Sequence, residues 1–238
     1  MNYKKPLVSV IIPVKNGAST IGLNLNSLIN QTYKHIEIIL VDNFSTDETS
    51  TIIEKYRRRH RRIKFYKKGP ERAAQMNFGI RRASGRYVFI TNSDMVVDKD
   101  FIELAVKKCE REGFDACNGH IKSKTKGFWS KVKGLERQMY VNDKLMETAL
   151  FYRKEVFLKL GGFDEKILGV EEEFQHKLDE NNYKMGIIDS FQTHINEIDS
   201  FKEIVLKSFY YGLYDSAYFE KRPALAFIKR FPIRIAFF

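Results

Sequence analysis

The 238-residue chain is 43% hydrophobic, enough for one large domain or two small ones around a buried core, which excludes a disordered protein. Lysine and arginine outnumber aspartate and glutamate 41 to 30, a formal charge of +11 that points to an anionic partner: nucleotide, nucleic acid or acidic membrane surface. The two cysteines, Cys109 and Cys117, have neither metal-ligand spacing nor a framework of pairs, which fits a reducing compartment.

In chain order, basic residues precede an apolar stretch, but Leu7 to Val14 is too short for a secretion signal and lacks a small-residue cleavage site. Val8, Val10, Ile11 and Ile12 instead predict a fully buried parallel strand ending at Pro13. Asn16, Gly17, Ser19 and Thr20 make a turn and a helix start, and Ile21, Leu25 and Leu28 continue at helical spacing. A second strand spans Ile36 to Val41 and closes on Asp42; Ser45 and Glu48 then have capping-box spacing for a helix towards Tyr56. A short strand over Ile63 to Tyr66, a helix over Arg72 to Arg82 and a strand over Tyr87 to Thr91 complete a βαβαβαβ pattern. That alternation predicts a doubly wound, mostly parallel sheet with helices on both faces.

The fourth strand stops at Asn92, Ser93 and Asp94. The triplet is either a turn built from turn-favouring residues or a site, because ligands collect at the carboxyl ends of central strands in open parallel sheets. Asp42 stands at the equivalent place after the second strand, and two such carboxylates facing one crevice suit a nucleotide. With no GxGxxG after the first strand and no GxxxxGK[ST] anywhere, neither a dinucleotide dehydrogenase nor a P-loop enzyme has support.

Past Asp100 the alternation decays. Helices are expected over Phe101 to Cys109 and Phe128 to Tyr140, and strands over Ala116 to Ile121, Thr148 to Phe151 and Met185 to Ile188. Phe128 and Trp129 read either as core packing or as pocket walls. Glu171, Glu172 and Glu173 follow Gly169, where acids by themselves stabilise a helix amino terminus. The stretch from Lys207 to Tyr218 is rich in tyrosine, and Lys221 to Phe238 has five basic residues, several aromatics and no acid. Basic and aromatic residues interleaved on a helix suit an anionic membrane surface. The run from Arg57 to Arg62 either joins that surface or is a solvated helix end. No eighteen consecutive apolar residues occur, so no full membrane span is expected, and the still-apolar finish at Phe237 and Phe238 suggests a shortened form of a longer membrane-attached protein.

The segments Val8 to Asn16 (VSVIIPVKN), Ser27 to Thr49 (SLINQTYKHIEIILVDNFSTDET) and Gly69 to Met95 (GPERAAQMNFGIRRASGRYVFITNSDM) together resemble the inverting family-2 glycosyltransferases of GT-A fold, in the membrane-associated subgroup with an ERxAQRN-like motif. The resemblance implies that Asp42 and Asn43 contact a nucleotide base and that Pro13, Arg72 and Asn77 lie near a nucleotide-sugar. It puts Asn92-Ser93-Asp94 at the DxD position, with Asp94 ligating Mn²⁺ or Mg²⁺. Two departures stand out: Asn92 replaces the first acid of that motif, and Met76 stands where relatives often have arginine.

Further along, Gly161 to Glu165 (GGFDE) resembles a turn of the same family, and the acids after Gly169 match its catalytic pair. Glu172 then takes the general-base role towards an acceptor hydroxyl, with Glu171 beside it. His194 matches an HxE-like histidine facing metal or diphosphate, with Glu197 one position displaced. The implied organisation is a nucleotide-sugar half over 1–98, an acceptor-binding and catalytic half of the same domain over 99–200, and a basic-aromatic helical tail over 201–238. The implied partners are a nucleotide-diphosphate sugar, a glycan or lipid-linked acceptor and an anionic membrane, with the protein peripheral on the cytoplasmic face. A nucleotide-sugar-binding protein that has lost catalysis is the first alternative; nucleic-acid binding, with no recognition module visible, is the second.

Overall fold

The computed structural model describes residues 5–139, 141, 148–167 and 169–210. Eight strands form one sheet in the order β3-β2-β1-β4-β7-β6-β8-β5. Its first half is parallel: β1 (Val8–Val14) pairs with β2 (Ile36–Asp42) and β4 (Tyr87–Ile90), and β2 pairs with β3 (Ile63–Lys67). Every residue of β1, β2 and β4 is buried, because helices cover both faces and a strand between two helical layers must be apolar on both sides.

Successive side chains of β1 point to opposite faces. Val8, Val10, Ile12 and Val14 pack with α1 (Ile21–Ile29) and α4 (Phe101–Glu112), whereas Ile11, with Ile39 and Val41 of β2, packs with α3 (Arg72–Arg82) and α7 (Val170–Glu180). α3 crosses β1 closely at Gly79, where a Cβ would come within 2.8 Å of Ile11 Cγ2. These features bear out the expected α/β architecture with helices on both faces.

The second half of the sheet is mixed. β7 (Phe151–Arg153) runs antiparallel to β4 and to β6 (Ala116–Ser123); β8 (Met185–His194) runs parallel to β6; and β5 (Met95–Val97) closes the edge antiparallel to β8. Two short elements were not expected, β5 and α6 (Lys154–Lys159). The expected strand over Thr148 to Phe151 begins only at Phe151, where pairing with Phe89 starts, and the expected strand over Met185 to Ile188 continues to His194 because β5 and β6 both pair with its far end.

The capping box at Ser45 does not form. α2 (Thr49–Arg59) starts later, Asp47 accepts the Thr49 backbone N–H at 3.0 Å, and the Ser45 hydroxyl donates to Asp42 instead. α5 (Phe128–Met139) lies beside β6, and a further helix covers 201–210. The rest of the basic-aromatic tail, 211–238, lies outside the described residues. Among those residues no helix is long and apolar enough to cross a membrane.

Candidate functional site

A cleft of about 830 Å³ opens where β1 and β4 end, walled by α3, the first turn of α7 and the end of β8. Pro13, Asn43, Arg72, Asn92, Ser93, Asp94, Glu171, Glu172 and His194 all line it. Stretches separated by up to about 180 residues of chain thus meet in one space, because each ends a strand or begins a helix at the same edge of the sheet.

Asp94 is held by a pairing invisible in the local sequence. β5 follows it immediately and runs antiparallel to β8 with Met95 opposite His194, and Ile195 N–H donates to the Asp94 carbonyl at 3.0 Å. The His194 ring therefore reaches the carboxylate, with Nε2 3.1 Å from Asp94 Oδ2. Burial of the Asp94 carboxyl pushes its pKa up, but the hydrogen bond and charge of His194 more than offset this and hold it below the ordinary aspartate value. On the ring's other side, Nδ1 lies 3.3 Å from Glu197 Oε1 without hydrogen-bond geometry, and Glu197 is fixed by Ser123 Oγ at 2.6 Å and Arg137 Nη2 at 2.8 Å.

The second oxygen of Asp94, Oδ1, is buried without a hydrogen-bond partner. A buried, ionised carboxylate oxygen left bare is costly unless something positive meets it, and a hard divalent cation suits an oxygen donor. Asp94 and His194 thus fit a metal that draws its remaining ligands from a bound phosphate. Among the described residues, no group of three or more His, Cys, Asp or Glu is assembled for a metal without such help.

Asn92 and Glu171 are tied together through Arg72. The Arg72 guanidinium donates to Asn92 Oδ1 from Nε at 3.2 Å and from Nη2 at 2.9 Å, and Nη2 lies 2.5 Å from Glu171 Oε1. The amide at 92 keeps the acceptor oxygen that Arg72 needs without adding a second negative charge beside Asp94. α3 is in turn fastened to the sheet by Gln75, which resemblance had not singled out: its Nε2 donates to carbonyls at the ends of β1 and β2, Val14 O at 3.0 Å and Val41 O at 2.5 Å.

Two expected donor-binding residues do not line the cleft. Asp42 is fully buried, and its carboxylate accepts the Ser45 backbone N–H at 3.1 and 3.3 Å as well as the Ser45 hydroxyl, so it builds the turn beneath Asn43. Asn77 donates to Phe163 O at 2.9 Å and Glu165 Oε1 at 3.0 Å and accepts the Phe163 N–H at 3.1 Å. It lies five residues, about 7.5 Å of helix rise, beyond Arg72, and faces the GGFDE turn instead of the cleft. That turn needs its glycines: Gly161 and Gly162 have φ of +80° and +72°. Gln192 was missed outright. It is fully buried in the cleft wall, its Oε1 accepts from Thr91 Oγ1 at 2.8 Å, and its Nε2 has no hydrogen-bond partner.

A family model described as glycosyl transferase family 2 matches residues 9–162. A glycosyltransferase of uncharacterised activity from Rickettsia felis is 37% identical over 107 residues, covering 45% of this chain and 18% of that protein, so the chain spans a small part of that relative's length. S. aureus TarS 1–349 in complex with UDP-GlcNAc superposes with a TM-score of 0.64 at 21% identity, covering 81% of this chain and 59% of that one. The mannosyltransferase PcManGT of Pyrobaculum calidifontis, in complex with GDP-Man and Mn²⁺, gives 0.65 at 19% identity, covering 85% and 60%. At these identities the two structures speak for the GT-A fold.

Proposed function

Because the chain belongs to glycosyl transferase family 2, we propose that it transfers a sugar from a nucleotide-diphosphate donor to an acceptor hydroxyl with inversion at the anomeric carbon. The observation that carries this reading is the placement of Asp94, with its bare Oδ1 and its His194 contact, in one cleft with the acids of α7. The fold likeness to structures holding UDP-GlcNAc and GDP-Man with Mn²⁺ supports a nucleotide-sugar donor of hexosyl type. The ERAAQMN stretch supports the subgroup with an ERxAQRN-like motif.

In this mechanism Glu172 takes the proton of the acceptor hydroxyl as its oxygen attacks the anomeric carbon, and the bond from that carbon to the diphosphate breaks on the opposite side. Glu171 is paired with Arg72, and the base role is given to Glu172 by its place in the cleft after Gly169. Arg72 and Lys207, both in the cleft wall, are cations able to meet the departing diphosphate, where preorganised positive charge is worth most. Bound Mn²⁺ or Mg²⁺, held by Asp94 with His194, would supply further neutralisation of that charge. The Gln192 Nε2 donor suits a hydroxyl or phosphate oxygen of the donor.

The acceptor is taken to be a glycan or lipid-linked hydroxyl, reached by a protein peripheral on the cytoplasmic face of a membrane. Incubation with a panel of UDP- and GDP-sugars and Mn²⁺ tests the catalytic reading, since a competent enzyme slowly releases free nucleoside diphosphate even without acceptor. Absence of release and of transfer across the panel, with nucleotide bound, would leave a binding protein in its place.

A further inference from the structure

Two adjacent helices turn their apolar faces outward. On α5, Phe128, Val132, Leu135 and Met139 recur at helical spacing and are 69%, 40%, 61% and 56% exposed, while the residues this helix buries are Ser130 and Gly134. A surface helix normally does the reverse, facing its apolar stripe to the core. On helix 201–210, Phe201, Val205, Leu206 and Phe209 are 57%, 48%, 57% and 67% exposed. The Trp129 and Phe201 rings, with centroids 4.9 Å apart, join the two stripes into one patch. Contiguous apolar surface on this scale marks a contact surface.

The patch is framed by positive charge. Residues 122–139 hold six basic side chains and one acid, Glu136, which is paired with Lys133 at 2.6 Å. Lys124, Lys126, Lys131 and Lys202 are exposed around it against two exposed acids, Asp199 and Glu203, and beyond Glu220 the sequence continues into the acid-free segment from Lys221 with its five basic residues. A second copy packed here about a two-fold axis would face like charge with like charge. Apolar and aromatic side chains ringed by lysines instead match the headgroup and acyl layers of an anionic bilayer.

We propose that α5 and helix 201–210 together form the face by which this protein docks on an anionic lipid membrane. A cavity of about 450 Å³ lies behind them, walled by Lys133, Glu136 and Arg137 of α5 and by Ile204, Lys207 and Ser208 of the second helix. It shares Ile121, Thr148, Leu150 and Lys207 with the cleft. Docking by this face brings the bilayer against the acceptor side of the cleft, a consequence that rests on the glycosyltransferase reading; the docking itself does not.

Flotation of the full chain with vesicles of phosphatidylcholine plus phosphatidylglycerol, and of phosphatidylcholine alone, tests the proposal. The chain should float with the anionic vesicles and stay behind with the neutral ones. Leu135→Asp and Phe209→Asp should each lower partitioning on the order of tenfold or more, from the apolar burial lost. Leu158→Asp, an exposed leucine on α6, should leave it unchanged. Melting shifts with nucleoside diphosphates, measured on the same samples, report folding and the cleft separately. No flotation despite an intact nucleotide response overturns the docking face and the peripheral placement with it but leaves the cleft reading standing, and flotation without any nucleotide response overturns the cleft reading alone. An equal loss in Leu158→Asp, or a solution dimer that Leu135→Asp dissolves without vesicle binding, also overturns the docking face.

Discussion

The two halves of the sheet are built by different rules. In the parallel half, β3-β2-β1-β4, each of β1, β2 and β3 is followed by a helix, and function gathers only where strands end. In the mixed half, β7-β6-β8-β5, two of the three pairings are antiparallel and one, β6 with β8, is parallel, and the strands come from distant parts of the chain, so pairing itself brings site residues together. Asp94 joins the halves: it follows β4, the last strand of the parallel half, and through β5 is delivered to His194 at the end of β8. In the proposed reaction the parallel half is the frame for the donor, and the mixed half closes the site from the acceptor side.

The largest expected effect comes from the acceptor side. Glu172→Gln should cut transfer by roughly 10²- to 10⁴-fold, the usual share of a general base, while nucleoside diphosphate affinity stays nearly intact. Steady-state transfer beside calorimetric nucleotide binding checks this, and unaltered turnover would falsify the base assignment. Arg72→Ala sharpens the donor side. Losing the link among Asn92, Glu171 and the diphosphate should raise the donor KM roughly tenfold, the scale of a charge-assisted hydrogen bond, with a smaller change in kcat.

Two further substitutions separate frame from site. Asn77→Ala removes three hydrogen bonds between α3 and the GGFDE turn, two of them buried, and should cost about 2–3 kcal/mol of stability in denaturant melts. The donor KM of the protein that remains folded should be unchanged; a selective rise in KM would return Asn77 to the donor site. The smallest effect is expected at Glu37, within the frame. Burial raises its pKa, but Lys64, Ser9 and the Ser84 backbone N–H together hold it below 4.5. With the folded value depressed, its contribution is full above the unfolded value of about 4.5 and is lost as pH falls through the folded value. Glu37→Gln should therefore lower stability by about 1 kcal/mol at neutral pH and progressively less under acid conditions. A deficit that does not shrink in acid melts would contradict the assignment.

How much was legible follows the same division. β1, β2 and β4 announced themselves because both faces are covered, which leaves near-continuous apolar runs that stop at polar residues. The resemblance then pointed to Asp94, Arg72 and Glu171, all of which line the cleft. β5 escaped notice because three residues carry no periodicity, and with it went the pairing that brings Asp94 to His194 across a hundred residues of chain. Asn77 was assigned by its place in a motif, which gives order along the chain but not direction. Its neighbours on the helix, Ala73, Met76 and Ile80, already marked its face as the buried one. Gln192 could not be recognised from sequence, since its role depends on an oxygen fixed by Thr91 and a nitrogen left without a partner. The outward apolar stripe of α5 was visible as helical periodicity, but which way it faces is decided by Ser130 and Gly134 packing inward.

The most direct test of the donor cleft is a melting panel of nucleoside diphosphates, with and without Mn²⁺, on the unmodified chain and on Asp94→Ala. Binding to the folded state raises the melting temperature with occupancy and affinity. At least one nucleotide should raise it, Mn²⁺ should increase the rise, and Asp94→Ala should abolish the Mn²⁺-dependent part. A panel in which no nucleotide shifts melting, with or without Mn²⁺, would contradict the cleft as a nucleotide-sugar site.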